Sequence, residues 1–292
     1  MSRRWSRYQI EVGVLRVLRP LTIAFFVLIS VFPFYYMVML AMRDISEVLQ
    51  DPGALVPPLS QLSLTPFKEV LRPTSQGGDG FTHFLLNSAG LATATVIVTL
   101  AVSVLGAYAV ARLQFFGRRK VSVLFLSVYL FPPVLLAIPL FVVFSRLGLR
   151  GQLPVLVIVY VAQTVPVCVY MLRNYFQTVP RSLEEAAEVD GAKRLAVIRY
   201  VTLPLAMPAV AATGLLVFMV AWNEFLFALL FLAADRNLWT VSLGLSQLSN
   251  GIEVSKTVLM AGSVLLTIPI IVLYGLTERS LTEGLTSGAD KG

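Results

Sequence analysis

Side chains able to do bond-making chemistry are few in this sequence. There is one histidine, His83, and one cysteine, Cys168, which lies inside an apolar run. A structural zinc site draws on about four Cys or His ligands, and one of each leaves the set incomplete. A Ser–His or Cys–His hydrolase centre could be built only around His83, and no G-x-S-x-G turn offers it a serine. No G-x-x-x-x-G-K-[ST] loop is present to cradle nucleotide phosphates. A lone cysteine forms no disulfide within the chain. The sequence is therefore read as non-enzymatic, with no cofactor or metal of its own, and any uphill work needs energy from a partner or an ion gradient.

The carboxylates say more. Glu184, Glu185, Glu188 and Asp190 fall within residues 181–206 beside Arg181, Lys193, Arg194 and Arg199, an island of charge between two long apolar runs. A fifth, Glu224, stands inside an apolar run next to Trp222 and Asn223. An ionisable group at membrane depth is a functional candidate by default, and Asn with Trp suits sugar hydroxyls and ring faces. The competing role is a site at the water interface, or a hydrogen bond to a neighbouring helix. Asn87, Gln163 and Thr164 pose the same choice, between lining a translocation path and joining helices to one another.

What positions these residues follows from composition. The 292 residues are 57% hydrophobic and 13% charged, and the mean hydropathy is +0.80. A soluble domain carries about 25% charged residues, so this chain lacks the polar surface to cover a body in water. Its net charge of +7 does not gather into the basic tract that nucleic acid requires. The basic residues instead flank apolar runs and speak of membrane topology.

Six stretches reach the roughly 20 apolar residues that a bilayer-spanning helix needs: about 21–42, 84–111, 121–144, 154–172, 205–232 and 257–276. The first exceeds the 7–15 apolar residues of a cleavable signal and is read as an uncleaved span. With the N-terminus inside, the inner segments 1–20, 112–120, 173–204 and 277–292 hold 16 of the 23 Lys and Arg residues. The outer segments 43–83, 145–153 and 233–256 hold 7. The excess places both termini and the charged island in the cytoplasm. Segment 43–83, rich in Pro, Gly and Ser, reads as an irregular extracytoplasmic loop. The whole chain, 1–292, reads as one membrane domain. Pro132, Pro133 and Pro139 are expected to kink the third span.

Within the island, Ser182 and Glu185 have the spacing of a capping box. Leu183, Ala186, Ala187 and Asp190 fall on one helical face, where two alanines let another surface approach closely. Asp190-Gly191 stops this helix. A second amphipathic helix is expected over 192–202, with Leu195, Ile198 and Val201 turned inward. Leu203-Pro204 closes it and feeds the fifth span. The prediction is a helix–turn–helix elbow joined directly to two membrane helices.

"EAAEVDGA", followed nine residues after Gly191 by "VTLP", resembles the E-A-A-x-x-x-G-x(9)-I-x-L-P signature of permease subunits of ABC importers. Glu185, Ala186, Ala187, Gly191, Leu203 and Pro204 match residue by residue, and Val201 stands where the pattern prefers isoleucine. "AYAVARLQFFGRR", "VFMVAWNEFLFAL" and "GLTSGADKG" agree with the carbohydrate, maltose-type branch, in particular its smaller permease subunit. The resemblance implies an all-α integral membrane fold of six transmembrane helices, the type I importer transmembrane domain. The cytoplasmic coupling-helix elbow lies between helices 4 and 5, seated in a groove of an ATPase. It implies that Glu185 meets polar groups of the ATPase, that Ala186 and Ala187 permit close packing, that Gly191 makes the turn, and that Asp190 adds a contact. It further implies a second, larger permease, two ATPase subunits that bind ATP and Mg, an extracytoplasmic solute-binding protein, and a bacterial or archaeal plasma membrane as the setting. The tail of the smaller permease reaches the ATPase interface in that branch, an expectation here for residues 286–292. The substrate expected is a sugar such as maltose or trehalose. Glycerol phosphate or another non-sugar solute stays open, as does a secondary carrier or channel working without ATPases.

Overall fold

The computed structural model describes residues 7–250 and 255–289, and all regular structure among them is helical. A long α1 (Arg7–Ala41) is followed by two short helices, α2 (Ile45–Gln50) and α3 (Thr65–Leu71). Next come α4 (Phe81–Arg112), α5 (Arg118–Leu130), α6 (Ala137–Arg146) and α7 (Leu153–Phe176). The charged island forms α8 (Arg181–Val189), α9 (Arg194–Val197), a π-helical turn (Ile198–Thr202) and α10 (Leu203–Leu205). The chain then continues through α11 (Met207–Asn223), α12 (Leu226–Leu232), α13 (Val241–Asn250) and α14 (Lys256–Ala289).

Hydrocarbon offers backbone N–H and C=O groups no partner, so each apolar run must close its hydrogen bonds within itself as a helix. Among the described residues four helices, α1, α4, α7 and α14, are long and apolar enough to cross a bilayer unaided. Two bent pairs bring the number to six if each pair is one span. In the first, α5 meets the segment containing α6 at 85°. Pro132 lacks an N–H and pushes Phe131 out of the helical region, to φ −75°, ψ 126°. Pro139, also expected to kink this span, sits in the first turn of α6, where its missing donor is one the helix leaves unpaired anyway. In the second pair the segment 194–205 meets α11 at 83°. Pro204 and Pro208 flank the break at Ala206; Pro208 sits in the first turn of α11, where its missing donor is one the helix leaves unpaired anyway.

Several segments carry more helix than the apolar runs indicate. α1 and α14 extend past the hydrophobic stretches at 21–42 and 257–276, because a helix once nucleated adds residues cheaply. Segment 43–83 is not irregular throughout. It holds α2 and α3, and the buried Arg43 donates through Nη1 to Asp51 O (3.3 Å) and through Nη2 to Glu47 O (3.0 Å), tying down the end of α2. Segment 233–256, expected to be an outer loop, contains α13, whose Gly244 lets Phe84 of α4 approach so closely that a Cβ would lie 2.3 Å from its ring.

α4 is the central helix. It packs along α7, and α11 lies against both of them and against α14. One apolar core joins Phe81, Phe84, Leu156, Tyr160, Trp222 and Phe231. A second, at the elbow end, joins Ala107, Tyr108, Leu172, Phe176, Ile198 and Ala206. Between α4 and α7, the buried hydroxyls of Thr99 and Thr164 share a hydrogen bond of 3.0 Å. α1 leans on α14, while its most apolar window stays uncovered, a surface suited to lipid or to another membrane subunit.

Candidate functional site

The elbow begins where α7 ends. Pro180 is the N-cap of α8 and sets it off at φ −60°, ψ 128°. The capping box expected from Ser182 and Glu185 does not form. The helix starts two residues earlier than that box requires, so Ser182 lies inside the first turn, and the residue three after the Pro180 N-cap is Leu183, which has no carboxylate to reach back. At the other end, Gly191 N donates to Glu188 O (3.0 Å) and Ala192 N to Ala187 O (2.9 Å). These are the two bonds of a Schellman turn, which needs a left-handed residue at this place. Gly191 supplies it with φ +88°.

The faces of α8 divide sharply. Leu183, Glu185, Ala186, Val189 and Asp190 are exposed, and Ala187 is half-buried. Val189 is 88% exposed. Leu195, expected to turn inward, is 70% exposed, while Ile198 is buried as expected. The reason is that 192–202 is not one regular helix. α9 is a single turn, Arg194–Val197, whose inward side is taken by Val197 and, at the entry to the π turn, by Ile198, so Leu195 falls on the outward side. Leu183, Val189 and Leu195 thus leave apolar surface, with carboxylates among it, on an otherwise polar elbow. Leu203 is half-buried and Pro204 exposed, just before the bend.

The inward face carries a group that the sequence marked only as one of the carboxylates of the charged island. Glu184 is 6% exposed. Its Oε1 accepts from Arg112 Nε (3.0 Å) and Thr202 Oγ1 (3.0 Å), and its Oε2 from Tyr108 OH (3.4 Å). Arg112 Nη2 also donates to Val179 O at 2.7 Å. A buried carboxylate needs such partners, since an unpaired charge in the interior is strongly unfavourable. Nothing in the spacing of α8 alone identifies Arg112, 72 residues earlier, as the cation. The available sign was an arginine directly after an apolar run.

A cleft of about 870 Å³ opens between the bent α5–α6 pair, α7 and α11, walled by Phe131, Leu140, Val159, Gln163 and Phe227 among others. Gln163 faces it half-buried, and its Nε2 is buried without a hydrogen-bond partner. Thr164 borders the same cleft, but its hydroxyl also bonds to Tyr160 O (2.7 Å).

Residues 103–283, more than half of the chain, match the family described as binding-protein-dependent transport system inner membrane component. The chain belongs to this family. The permease is 36% identical over 270 residues to the inner membrane ABC transporter permease protein YcjP of Escherichia coli, covering 92% of this chain and 94% of that one. It is 36% identical over 267 residues to the trehalose/maltose transport system permease protein MalG of Thermococcus litoralis, covering 91% and 93%. In fold it is similar to a chain of a bacterial ABC transporter involved in import of the acidic polysaccharide alginate, with TM-score 0.75, 23% identity, and 95% and 99% of the two chains covered. The architecture is that of a type I importer transmembrane domain.

The permease draws its sequence-marked residues into separate places. Asn87 stands far from the elbow, where its Nδ2 donates to Asn237 O (2.8 Å) and Trp239 O (3.0 Å), fastening α4 to the segment before α13. Asn223 Nδ2 donates to Met219 O (2.9 Å), one turn back in its own helix. Glu224 ends α11. Its carboxylate accepts from the backbone N–H of Phe227 (2.8 Å) and Ala228 (3.1 Å) and from Tyr160 OH (2.6 Å). It therefore satisfies two orphan donors at the start of α12, as an N-cap does. Of the five residues considered for a path, Gln163 and Thr164 border the cleft, and Gln163 alone among them has a buried amide nitrogen without a partner.

Proposed function

We propose that this permease forms half of the membrane pathway of an ATP-driven sugar importer, with a di- or oligosaccharide such as maltose or trehalose as substrate. Its partners are a larger second permease, two ATPase subunits that hold ATP and Mg, and an extracytoplasmic solute-binding protein. The observation that carries this reading is the elbow. It offers an exposed surface of Leu183, Glu185, Ala186, Val189 and Asp190, and only short turns join it to α7 on one side and α11 on the other. Such a surface, apolar with polar groups at its rim, suits a protein partner. The excess of Lys and Arg in the elbow-side segments supports a cytoplasmic position for it and for both termini. The relatives named for trehalose and maltose support the substrate class.

In this reading, closure of the ATPase dimer on ATP moves the elbow, and the packed helices switch between two discrete arrangements, open to one side and then to the other. The permease, co-expressed with its second permease and ATPase, is purified and reconstituted in proteoliposomes with its binding protein. Uptake of labelled trehalose or maltose that requires ATP is the expected result. Uptake that persists without the ATPase would show a secondary carrier instead, and ATP-dependent uptake of glycerol phosphate but not sugar would reassign the substrate.

A further inference from the structure

We propose that Glu184 and Arg112 are positioning residues that transmit elbow movement to the membrane helices, a role distinct from that of the neighbouring Glu185. This rests on the importer reading above. Successive residues on an α-helix point about 100° apart, so the two adjacent glutamates of α8 face different ways. Glu185 is exposed on the surface available to a partner, and Glu184 is buried against the rest of the chain.

Four parts of the chain meet at the Glu184–Arg112 pair. Arg112 and Tyr108 come from the end of α4. Thr202 is the last residue of the π turn leading to α11. Arg112 carries the connection on to Val179 O, in the segment that leaves α7. The side chains of Arg112 and Glu184 are 7% and 9% exposed. Arg112 is itself held in place, because Arg118 donates to Val110 O (2.7 Å) and Ala111 O (3.0 Å) at the end of the same helix. A junction whose purpose was only stability would gain little from charge, since apolar residues of similar volume often replace a buried ion pair at no cost. What apolar packing does not supply is fixed direction. Bonds from three donors to one carboxylate hold α8 at a set angle and register on α4 and on the π turn. A displacement of α8 then carries both with it, whereas an apolar contact allows it to slide.

The test uses the complete complex in proteoliposomes, and reads ATPase subunit stoichiometry, ATP hydrolysis and solute uptake together. Glu184→Gln keeps the shape and removes the charge. The double variant Arg112→Met with Glu184→Leu removes both charges and leaves none unpaired. The expected result is that complexes assemble with the wild-type number of ATPase subunits and hydrolyse ATP, while solute moved per ATP falls at least tenfold, in the double variant as in the single. Glu185→Arg, by contrast, loses bound ATPase. Wild-type transport per ATP in the double variant would overturn the proposal, because the pair would then serve stability alone. Loss of assembled complex in both Glu184 variants would also overturn it, making the pair a folding element. ATP-independent uptake by the wild type would instead defeat the importer reading, and the coupling role with it.

Discussion

Gly191 offers a perturbation whose intrinsic and partner-dependent costs can be measured apart. It holds φ +88°, and a Cβ built on it meets no atom within 4 Å. A Cβ there introduces no clash within this chain, so for alanine the cost is conformational alone. An L-residue in the left-handed region is disfavoured by about 1–2 kcal/mol, equivalent to a roughly 5–30-fold lower population of the turn. That cost is nearly the same for alanine and tryptophan as long as the space beside the turn stays empty. Thermal stability of the isolated permease in detergent should accordingly drop by similar amounts in Gly191→Ala and Gly191→Trp, and less in Gly191→Asn, since asparagine tolerates this region better. In the assembled importer the two should separate. Gly191→Ala should retain part of its ATP-driven uptake at matched membrane abundance, and Gly191→Trp should lose nearly all, because the indole occupies space that a docked ATPase needs. Equal uptake by the alanine and tryptophan variants would refute the docking argument. Wild-type stability of both would refute the assignment of the glycine to a strained turn.

Three further variants bear on the pathway. Asn87→Ala removes two hydrogen bonds to backbone carbonyls and should lower stability by about 1–3 kcal/mol, with the KM for solute unchanged; a raised KM at unchanged stability would place Asn87 in the path. Glu224→Ala strips two N–H groups of α12 and the Tyr160 hydroxyl of their acceptor, and a loss of about 1–3 kcal/mol is expected in thermal unfolding; Tyr160→Phe should cost less. Gln163→Leu should leave stability equal or slightly raised, because it removes a buried amide nitrogen without a partner, yet it should weaken uptake of a hydroxyl-rich solute; undiminished uptake would remove Gln163 from the pathway.

The apolar runs were readable because the bilayer imposes a length on them: five of the six coincide with a helix or a bent helix pair here, and the fifth, 205–232, is divided between α11 and α12 at Glu224. Their ends were less readable. Composition reports the hydrophobic portion of a helix, and backbone hydrogen bonding carries α1 and α14 beyond it. The Asp190-Gly191 stop was legible because a local backbone requirement selects a residue type. The capping box was not, since the competing start signal, Pro180, was the stronger one. Leu195 faces outward against expectation, and Glu184 takes an inward place that no spacing assigned to it, for a deeper reason. Periodicity gives the relative angles of side chains on one helix but not which neighbour the helix turns toward. That depends on where α4 places Arg112 and on a π turn that no spacing rule announces.

In the importer proposed above, the geometry of the elbow lets one motif serve both docking and movement. The segment 194–205 lies at 83° to α11, and Thr202, bonded to Glu184, stands four residues before the bend at Ala206. α8, the π turn and α10 therefore act as one short arm, fixed to α4 through Arg112 and turning into α11 at the corner. If the corner alone transmitted force, only α11 would respond, and α4 would slip past it. With the carboxylate bridging both, a push on the exposed face of α8 reaches α4 and α11 together, and these two helices already pack against each other and against α7. Close-packed interiors resist continuous deformation, so such a push favours a jump of the helix group between arrangements over bending of any one helix.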